Sequence, residues 1–122
     1  MKITDSKFYR DKCYINGEWI NSDSGENISV NNPATLEEIG TVPKCETAET
    51  KRAIEAANAA WPEWKAKSAR QRSDILRKWF DLIIENKEEL AQIMTIEQGK
   101  PINESRGEIG YGASFVEWFS EE

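Results

Sequence analysis

The sequence predicts two β-hairpins at the start of the chain, followed by about four α-helices. Short apolar runs alternate with turn-forming residues up to about residue 45. From there on, apolar residues recur at helical spacing, and signals for helix starts and stops separate the runs. We therefore divide the chain into residues 1–45, with strands and turns, and residues 46–122, with helices.

The first hairpin is predicted at "KCYINGEWIN", where Asn16 and Gly17 lie between two short apolar runs. Both residues tolerate the positive φ of a type I′ turn, which makes this pair a strong hairpin signal. Tyr14 and Trp19 would then face each other across the strands. A second antiparallel pair is expected in "ISVNNPATLEEIGTVP", residues 28–43, with its turn at "NPAT". Two-stranded ribbons are weak alone, so we expect these strands to join a larger sheet.

The helices are predicted from residues that start and stop them. Three residues can cap a first turn: Thr47, Ser68 in the capping box "SARQ" and Asn86 in the box "NKEE". Pro62 is interpreted as the end of the first helix. Gly99 supplies a left-handed stop for the third helix, and Pro101 suits the first turn of the fourth.

The fourth helix, in "EIGYGASFVEWFSEE", has apolar residues on two sides. Ile109, Ala113 and Val116 share one side. Nearly opposite lies a set of four aromatic residues, which we call the aromatic side: Tyr111, Phe115, Trp118 and Phe119. An outermost helix needs only one apolar stripe. We therefore expect the chain to be the first segment of a longer polypeptide; the alternative is that these rings form the single core.

Composition excludes several classes of function. The net charge of −6, with acids spread among bases, argues against nucleic-acid binding, and no apolar run reaches the length of a membrane span. The chain has no histidine, so Cys13 and Cys45 lack the usual thiol-activating partner, and neither lies in a CxxC motif. We expect each to be a buried or bystander thiol. The polar start and the two cysteines favour a cytoplasmic protein.

Six motifs together resemble one family. "YINGEWI", "NPATLEEIGTVP", "AIEAANAAWPEWK", "RSDILRKWFDLI", "ENKEELAQIMTIEQGKP" and "ESRGEIGYGASFVEWF" follow the order and spacing found in NAD(P)-dependent aldehyde dehydrogenases. The last block looks most like the succinate-semialdehyde dehydrogenase branch. The resemblance implies an α/β parent enzyme, a dimer or tetramer, which oxidises an aldehyde to the carboxylic acid with NAD or NADP.

Family members are several times longer than this chain. Their catalytic cysteine, general-base glutamate, oxyanion-hole asparagine and cofactor-binding residues lie later than residue 122. The resemblance therefore implies no catalytic and no cofactor-binding residue here. We expect the fragment alone to bind no cofactor and to be inactive, with the rest of the parent chain as its partner.

The resemblance implies two local roles. Three residues of the last helix would line the aldehyde entry channel: Gly107, Tyr111 and Phe115. The alternative is ordinary packing against the catalytic domain. Some members also hold a monovalent cation, and the matching oxygen ligands are the backbone carbonyls of Val30 and Asn31 and the carboxylate of Glu97. The alternative for Glu97 is a surface acid at a helix end.

A second function from a different class is a stand-alone helical interaction module. Such a module would bind a partner through the aromatic side of the last helix, because large exposed apolar patches mark interaction surfaces.

Overall fold

A computed structural model describes residues 2–122 and places the strands before the helices, as predicted. A short 3₁₀ turn, Ile3–Asp5, precedes the regular elements. The strands are β1 Cys13–Ile15, β2 Glu18–Ile20, β3 Asn27–Asn31 and β4 Glu38–Pro43. The helices are α1 Thr47–Ala66, α2 Ala69–Glu85, α3 Lys87–Gln98 and α4 Ile102–Glu121.

The chain divides into two compact units. The first ends at Glu63 and holds the strands and most of α1, and the second spans Trp64–Glu122 and holds the remaining helices. Within residues 2–122, none of the helices combines the length and the apolar composition that crossing a bilayer requires.

The first hairpin is confirmed. β1 pairs antiparallel with β2, and Asn16 and Gly17 take the positive φ angles, 52° and 82°, that a type I′ turn needs. Tyr14 pairs with Trp19 across the strands, and their ring centroids are 5.1 Å apart. This cross-strand aromatic pair stabilises the register of the hairpin.

The second antiparallel pair is also confirmed. β3 pairs with β4, and the register shifts between Val30 and Asn31 because β4 carries one extra residue, Ile39, at this point.

Farther along β4, a Cβ atom at Gly40 would lie 2.5 Å from the Tyr9 Oη. Only glycine lets the tyrosine ring approach the strand this closely.

A buried carboxylate joins the strands to α1. Glu49 is 3% exposed, and its Oε1 accepts the Asp23 backbone N–H at 2.7 Å, while its Oε2 accepts the Glu46 backbone N–H at 3.1 Å. These backbone donors hold the pKa of Glu49 below its ordinary value. Arg52 adds a two-pronged pair with the Asp23 carboxylate, with both N···O distances at 2.7 Å.

Small residues lie at the helix contacts of the second unit. Ala91 of α3 and Ala113 of α4 are fully buried, and so is Ser105 of α4, whose Oγ lies 2.9 Å from the Thr95 Oγ1. Short side chains let helices approach closely, and the paired hydroxyls satisfy each other. The packed side of α4 therefore contains Ala113, as its apolar spacing predicted.

Two predicted helix signals are confirmed. The Ser68 Oγ accepts the Gln71 N–H, and the Gln71 side chain accepts the Ser68 N–H, which completes the capping box of α2. Gly99 ends α3 with a φ of 78° in the left-handed region.

Two predicted side-chain caps and one predicted stop are wrong, although Asn86 does stand at the cap position of α3. Thr47 is already helical, and the bond from the Thr50 N–H to the Glu46 oxygen places Glu46 at the cap position. The Asn86 side chain donates to the Leu82 carbonyl at 2.8 Å, so it satisfies the end of α2 instead of the start of α3. Pro62 lies inside α1, because one missing N–H donor near a helix end is tolerated.

An ion pair links α3 to α4 at their solvent-facing side. Arg106 donates from Nε and Nη2 to the two carboxylate oxygens of Glu88, each at 2.8 Å, and from Nη1 to the Asn103 side chain at 2.7 Å. The guanidinium lowers the pKa of Glu88 from 4.5 to about 2, and a bond from Gln92 adds to this effect. The planar fork of arginine matches a carboxylate in this geometry.

We predict that this pair makes the stability of the chain depend on pH in the acid range. The folded pKa of Glu88 lies below its unfolded value, so the stabilisation is present above about pH 4.5 and is lost as the pH falls towards about 2. Glu88→Gln removes this component. Melting curves followed by circular dichroism between these pH values should show a smaller loss of Tm for the variant.

Glu85→Gln, on α2, is the matched control and should retain the acid-induced loss of Tm seen in the unchanged chain. Equal acid sensitivity of Glu88→Gln and the unchanged chain would contradict the role given to the pair.

Candidate functional site

The candidate site is the aromatic side of α4, which α2 and α3 leave exposed. Tyr111 is 66% exposed and Phe115 is 49% exposed, and Trp118 and Phe119 are exposed to a similar degree. On the opposite side, Ala113 is 1% exposed. The prediction that α4 has a packed side and a second, uncovered aromatic side is confirmed.

Ion pairs fix which side of α4 faces outward. Arg77 of α2 reaches Glu117 and Glu121 of α4, with N···O distances of 3.2 and 3.4 Å. Near the start of α4, Lys100 forms an ion pair with Glu108. Together with the Glu88–Arg106 pair, these contacts hold both ends of the helix. The aromatic side is therefore turned away from α2 and α3 by contacts along the whole helix.

The three predicted channel residues lie along one line of α4. Gly107, Tyr111 and Phe115 follow one another at intervals of four residues, which places them on the same helix face. The Tyr111 and Phe115 rings meet edge to face, with centroids 4.9 Å apart and an interplanar angle of 81°. A Cβ at Gly107 would meet no atom within 4 Å. The structure therefore brings the three residues together on an open surface, and their role as a channel wall stays a prediction.

A shallow cleft of about 510 Å³ continues the line towards the end of the helix. Phe115, Trp118 and Phe119 line it with the stems of Glu117 and Glu121. Such a surface offers apolar area and edge-to-face partners for another ring or an aliphatic chain.

The predicted cation ligands lie in both units. Val30 and Asn31 flank the register shift of β3, in the first unit, where the regular ladder is disrupted. The Asn31 Nδ2 donates to the Leu36 carbonyl at 3.1 Å. Glu97 is exposed in the last turn of α3, in the second unit. In residues 2–122, no three side chains of His, Cys, Asp or Glu are grouped to hold a metal, and the cation site stays a prediction.

The two cysteines are closer together than the sequence indicated. Both are free thiols and half-buried, and Cys13 is near enough to Cys45 to contribute to the shift of its pKa. Burial raises the pKa of Cys45 to about 11, and the neighbouring Cys13 adds to the shift. Cys45 is therefore a poor nucleophile at neutral pH. Two residues 32 positions apart carry no local signal of contact, which is why the pattern of the sequence missed the pair.

Comparisons with known proteins agree on one family. The model of the aldehyde dehydrogenase family matches residues 19–122. The chain is 58% identical over its whole length to the glutarate-semialdehyde dehydrogenase of Pseudomonas putida, and covers 25% of that protein. It is 52% identical over its whole length to the NADP⁺-dependent succinate-semialdehyde dehydrogenase of Escherichia coli, again covering 25%.

Solved structures give the same result. The succinate-semialdehyde dehydrogenase of Burkholderia pseudomallei superposes with a TM-score of 0.89 at 57% identity, over 92% of this chain and 23% of that one. An NADP-dependent enzyme of E. coli superposes with a TM-score of 0.91 at 51% identity, over 93% of this chain and 24% of that one. The two hairpins and the helices that follow match the first part of the fold of these enzymes.

The chain spans about a quarter of the length of the curated relatives that it matches. The family model nevertheless covers all but the first 18 residues of the chain. The chain belongs to the aldehyde dehydrogenase family.

Proposed function

We propose that this chain is the N-terminal part of an NAD(P)-dependent dehydrogenase that oxidises a semialdehyde with a terminal carboxylate, most simply succinate semialdehyde, to the dicarboxylate. One observation carries the proposal. Over the full 122 residues the chain is 52–58% identical to relatives named as succinate- and glutarate-semialdehyde dehydrogenases. Glutarate semialdehyde is one methylene longer and has the same two functional groups, so both belong to the substrate class.

The part that this segment plays is to build one wall of the parent enzyme. The exposed line of Gly107, Tyr111 and Phe115 supports a role in the aldehyde channel, because it offers open backbone and two rings in edge-to-face contact. Trp118 and Phe119 continue the same surface. The remainder of the parent chain, and further copies in a dimer or tetramer, are the proposed partners. The proposed compartment is the cytoplasm.

The chain by itself is proposed to bind neither NAD nor NADP and to catalyse nothing. Aldehyde oxidation in this family requires a thiolate nucleophile, oxyanion donors and a nicotinamide that accepts hydride. The raised pKa of Cys45 is opposite to what a nucleophilic thiol needs. The alternative, a stand-alone interaction module, uses the same exposed aromatic side. Family membership favours the enzyme segment.

The substrate class is tested with the full-length protein that carries this segment. We expect NADH or NADPH to form, followed by absorbance, with succinate or glutarate semialdehyde at a kcat/KM at least about tenfold above that for butyraldehyde, which lacks the carboxylate. The 122-residue chain under the same conditions should form none. Preference for the neutral aldehyde would contradict the substrate class, and turnover by the chain alone would contradict its inactivity.

The channel role predicts a specific kinetic effect of Tyr111→Ala in the full-length enzyme. Loss of a ring that contacts the entering aldehyde should raise KM several-fold, up to about tenfold, with a smaller change in kcat. Trp79→Ala removes an exposed ring of α2 that is not part of this surface and is the matched control. If both variants lose Tm equally and neither changes KM or kcat, Tyr111 packs against the catalytic domain and does not line the channel.

The cation site is also proposed for the full-length enzyme, with oxygen ligands from the backbone of Val30 and Asn31 and from the carboxylate of Glu97. The two backbone ligands flank the register shift of β3, and oxygen ligands suit a hard ion.

Replacing sodium and potassium with tetramethylammonium at equal ionic strength should lower Tm by roughly a few degrees, because a bound ion stabilises only the folded state. Glu97→Gln should abolish the difference between the two salts, whereas Glu85→Gln should retain it. The same Tm in both salts for the unchanged enzyme would rule out the site.

A further inference from the structure

The ammonium group of Lys87 lies against the backbone of α4 at Gly110. A Cβ atom at Gly110 would lie 3.1 Å from the Lys87 Nζ and 3.8 Å from the Lys87 Cε. The end of the lysine therefore fills space that a side chain at position 110 would occupy. Lys87 is the first residue of α3 and is half-buried, so its charge is held beside α4 and not extended freely into solvent.

This ammonium group has no carboxylate partner within residues 2–122, and it forms no hydrogen bond with any of them. Other basic side chains at α4 form ion pairs: Arg106 with Glu88, Arg77 with Glu117 and Glu121, and Lys100 with Glu108. A half-buried ammonium without a partner is able to donate charge-assisted hydrogen bonds to an anion that approaches it. Lys87 is therefore the cation beside α4 that is open to an incoming carboxylate.

Gly110 is next to the start of the proposed channel line. Gly107 and Gly110 are three residues apart in α4, and positions with this spacing are neighbours on a helix surface, with about 5–6 Å between their Cβ atoms. A Cβ at Gly107 would meet no atom within 4 Å, so the surface there is open. A molecule that rests on Gly107 therefore has the Tyr111 ring next along the line and the Lys87 ammonium to one side.

We propose that Lys87 binds the terminal carboxylate of the semialdehyde at the mouth of the channel, on the surface that Gly107 and Gly110 leave open. The inference rests on the proposed substrate class and on the proposed channel role of α4. The carboxylate accepts hydrogen bonds from the ammonium, while the methylene chain lies over Gly107 and the Tyr111 ring. A neutral aldehyde lacks this contact, so Lys87 increases the preference of the enzyme for the substrate that carries the carboxylate.

The position of the charge also predicts a dependence on salt. Because Lys87 is only half-buried, dissolved ions screen its attraction for a carboxylate, with a Debye length of about 8 Å at physiological ionic strength. A charge at the rim of a binding site acts mainly on the rate of encounter and on its salt dependence. The kcat/KM for the semialdehyde should therefore fall as the ionic strength rises, whereas the kcat/KM for a neutral aldehyde should not.

The experiment measures kcat/KM of the full-length enzyme that carries this segment, for succinate semialdehyde and for butyraldehyde. Tetramethylammonium chloride raises the ionic strength from about 0.05 to about 0.5 M at constant potassium, so that the proposed cation site is not disturbed. Lys87→Met removes the charge and keeps the length of the side chain. At low salt we expect the variant to lose several-fold, up to about tenfold, of kcat/KM for the semialdehyde, mainly through KM, and less than about twofold for butyraldehyde.

The same variant should lose most of the salt dependence, and Lys87→Arg, which keeps the charge, should retain it. Lys78→Met removes one positive charge from an exposed position of α2 and is the matched control, expected to behave like the unchanged enzyme.

Two results would overturn the inference, and they are distinguishable. If the unchanged enzyme prefers the semialdehyde and Lys87→Met affects both aldehydes equally or neither of them, the substrate class stands and Lys87 does not bind the carboxylate. If the unchanged enzyme shows no preference for the semialdehyde over butyraldehyde, the proposed substrate class is wrong and the role of Lys87 is rejected with it.

Discussion

The constraint on which the rest of this structure depends is a shortage of fully buried large apolar side chains. Among residues 2–122, the buried apolar residues are Ile3, Pro43, Ala91 and Ala113, and two of these are alanines. Aromatic and aliphatic residues of every helix except α3 are prominent among the exposed ones. Burial of apolar area is the main favourable term in folding, and alanine supplies little of it. Burial of apolar area within this segment is therefore small.

Polar contacts connect the elements of each unit where the small apolar cores do not. In the first unit, the buried Glu49 satisfies two backbone donors from separate segments, and Arg52 forms a two-pronged pair with Asp23 nearby. In the second unit, Arg106 and Arg77 connect α4 to its neighbours. Directional contacts of this kind define orientation more than they add stability, because exposed ion pairs are weak. They keep α4 oriented so that its aromatic side faces away from its own unit.

Local signals predicted most of the fold, and contacts distant in sequence account for most of what was missed. The hairpin at Asn16 and Gly17 and the stop at Gly99 depend on φ values that few other residues adopt, so a short window is enough. The side-chain cap predicted at Asn86 is wrong because its amide can serve either of the two helices that it separates. The junction at Glu49 depends on Asp23, which is 26 residues away, and no pattern in the sequence indicates that contact.

The candidate site was predicted only in part, because again only the local spacing was informative. Helical spacing alone showed that Tyr111 and Phe115 lie on a second apolar side, which the structure confirms. Spacing cannot tell a channel wall from an ordinary contact surface, because both need exposed rings on one face. The channel and the cation site come from the family resemblance and stay proposals.

The close approach of Tyr9 to Gly40 has a consequence for how this segment varies among relatives. The ring occupies the space in which any larger residue at position 40 would put its first carbon. A substitution at position 40 requires that the Tyr9 side chain swing aside, that position 9 lose its bulk, or that the leading residues move away from β4. The two positions are thus expected to change together during evolution, although one lies before the first strand and the other within the last.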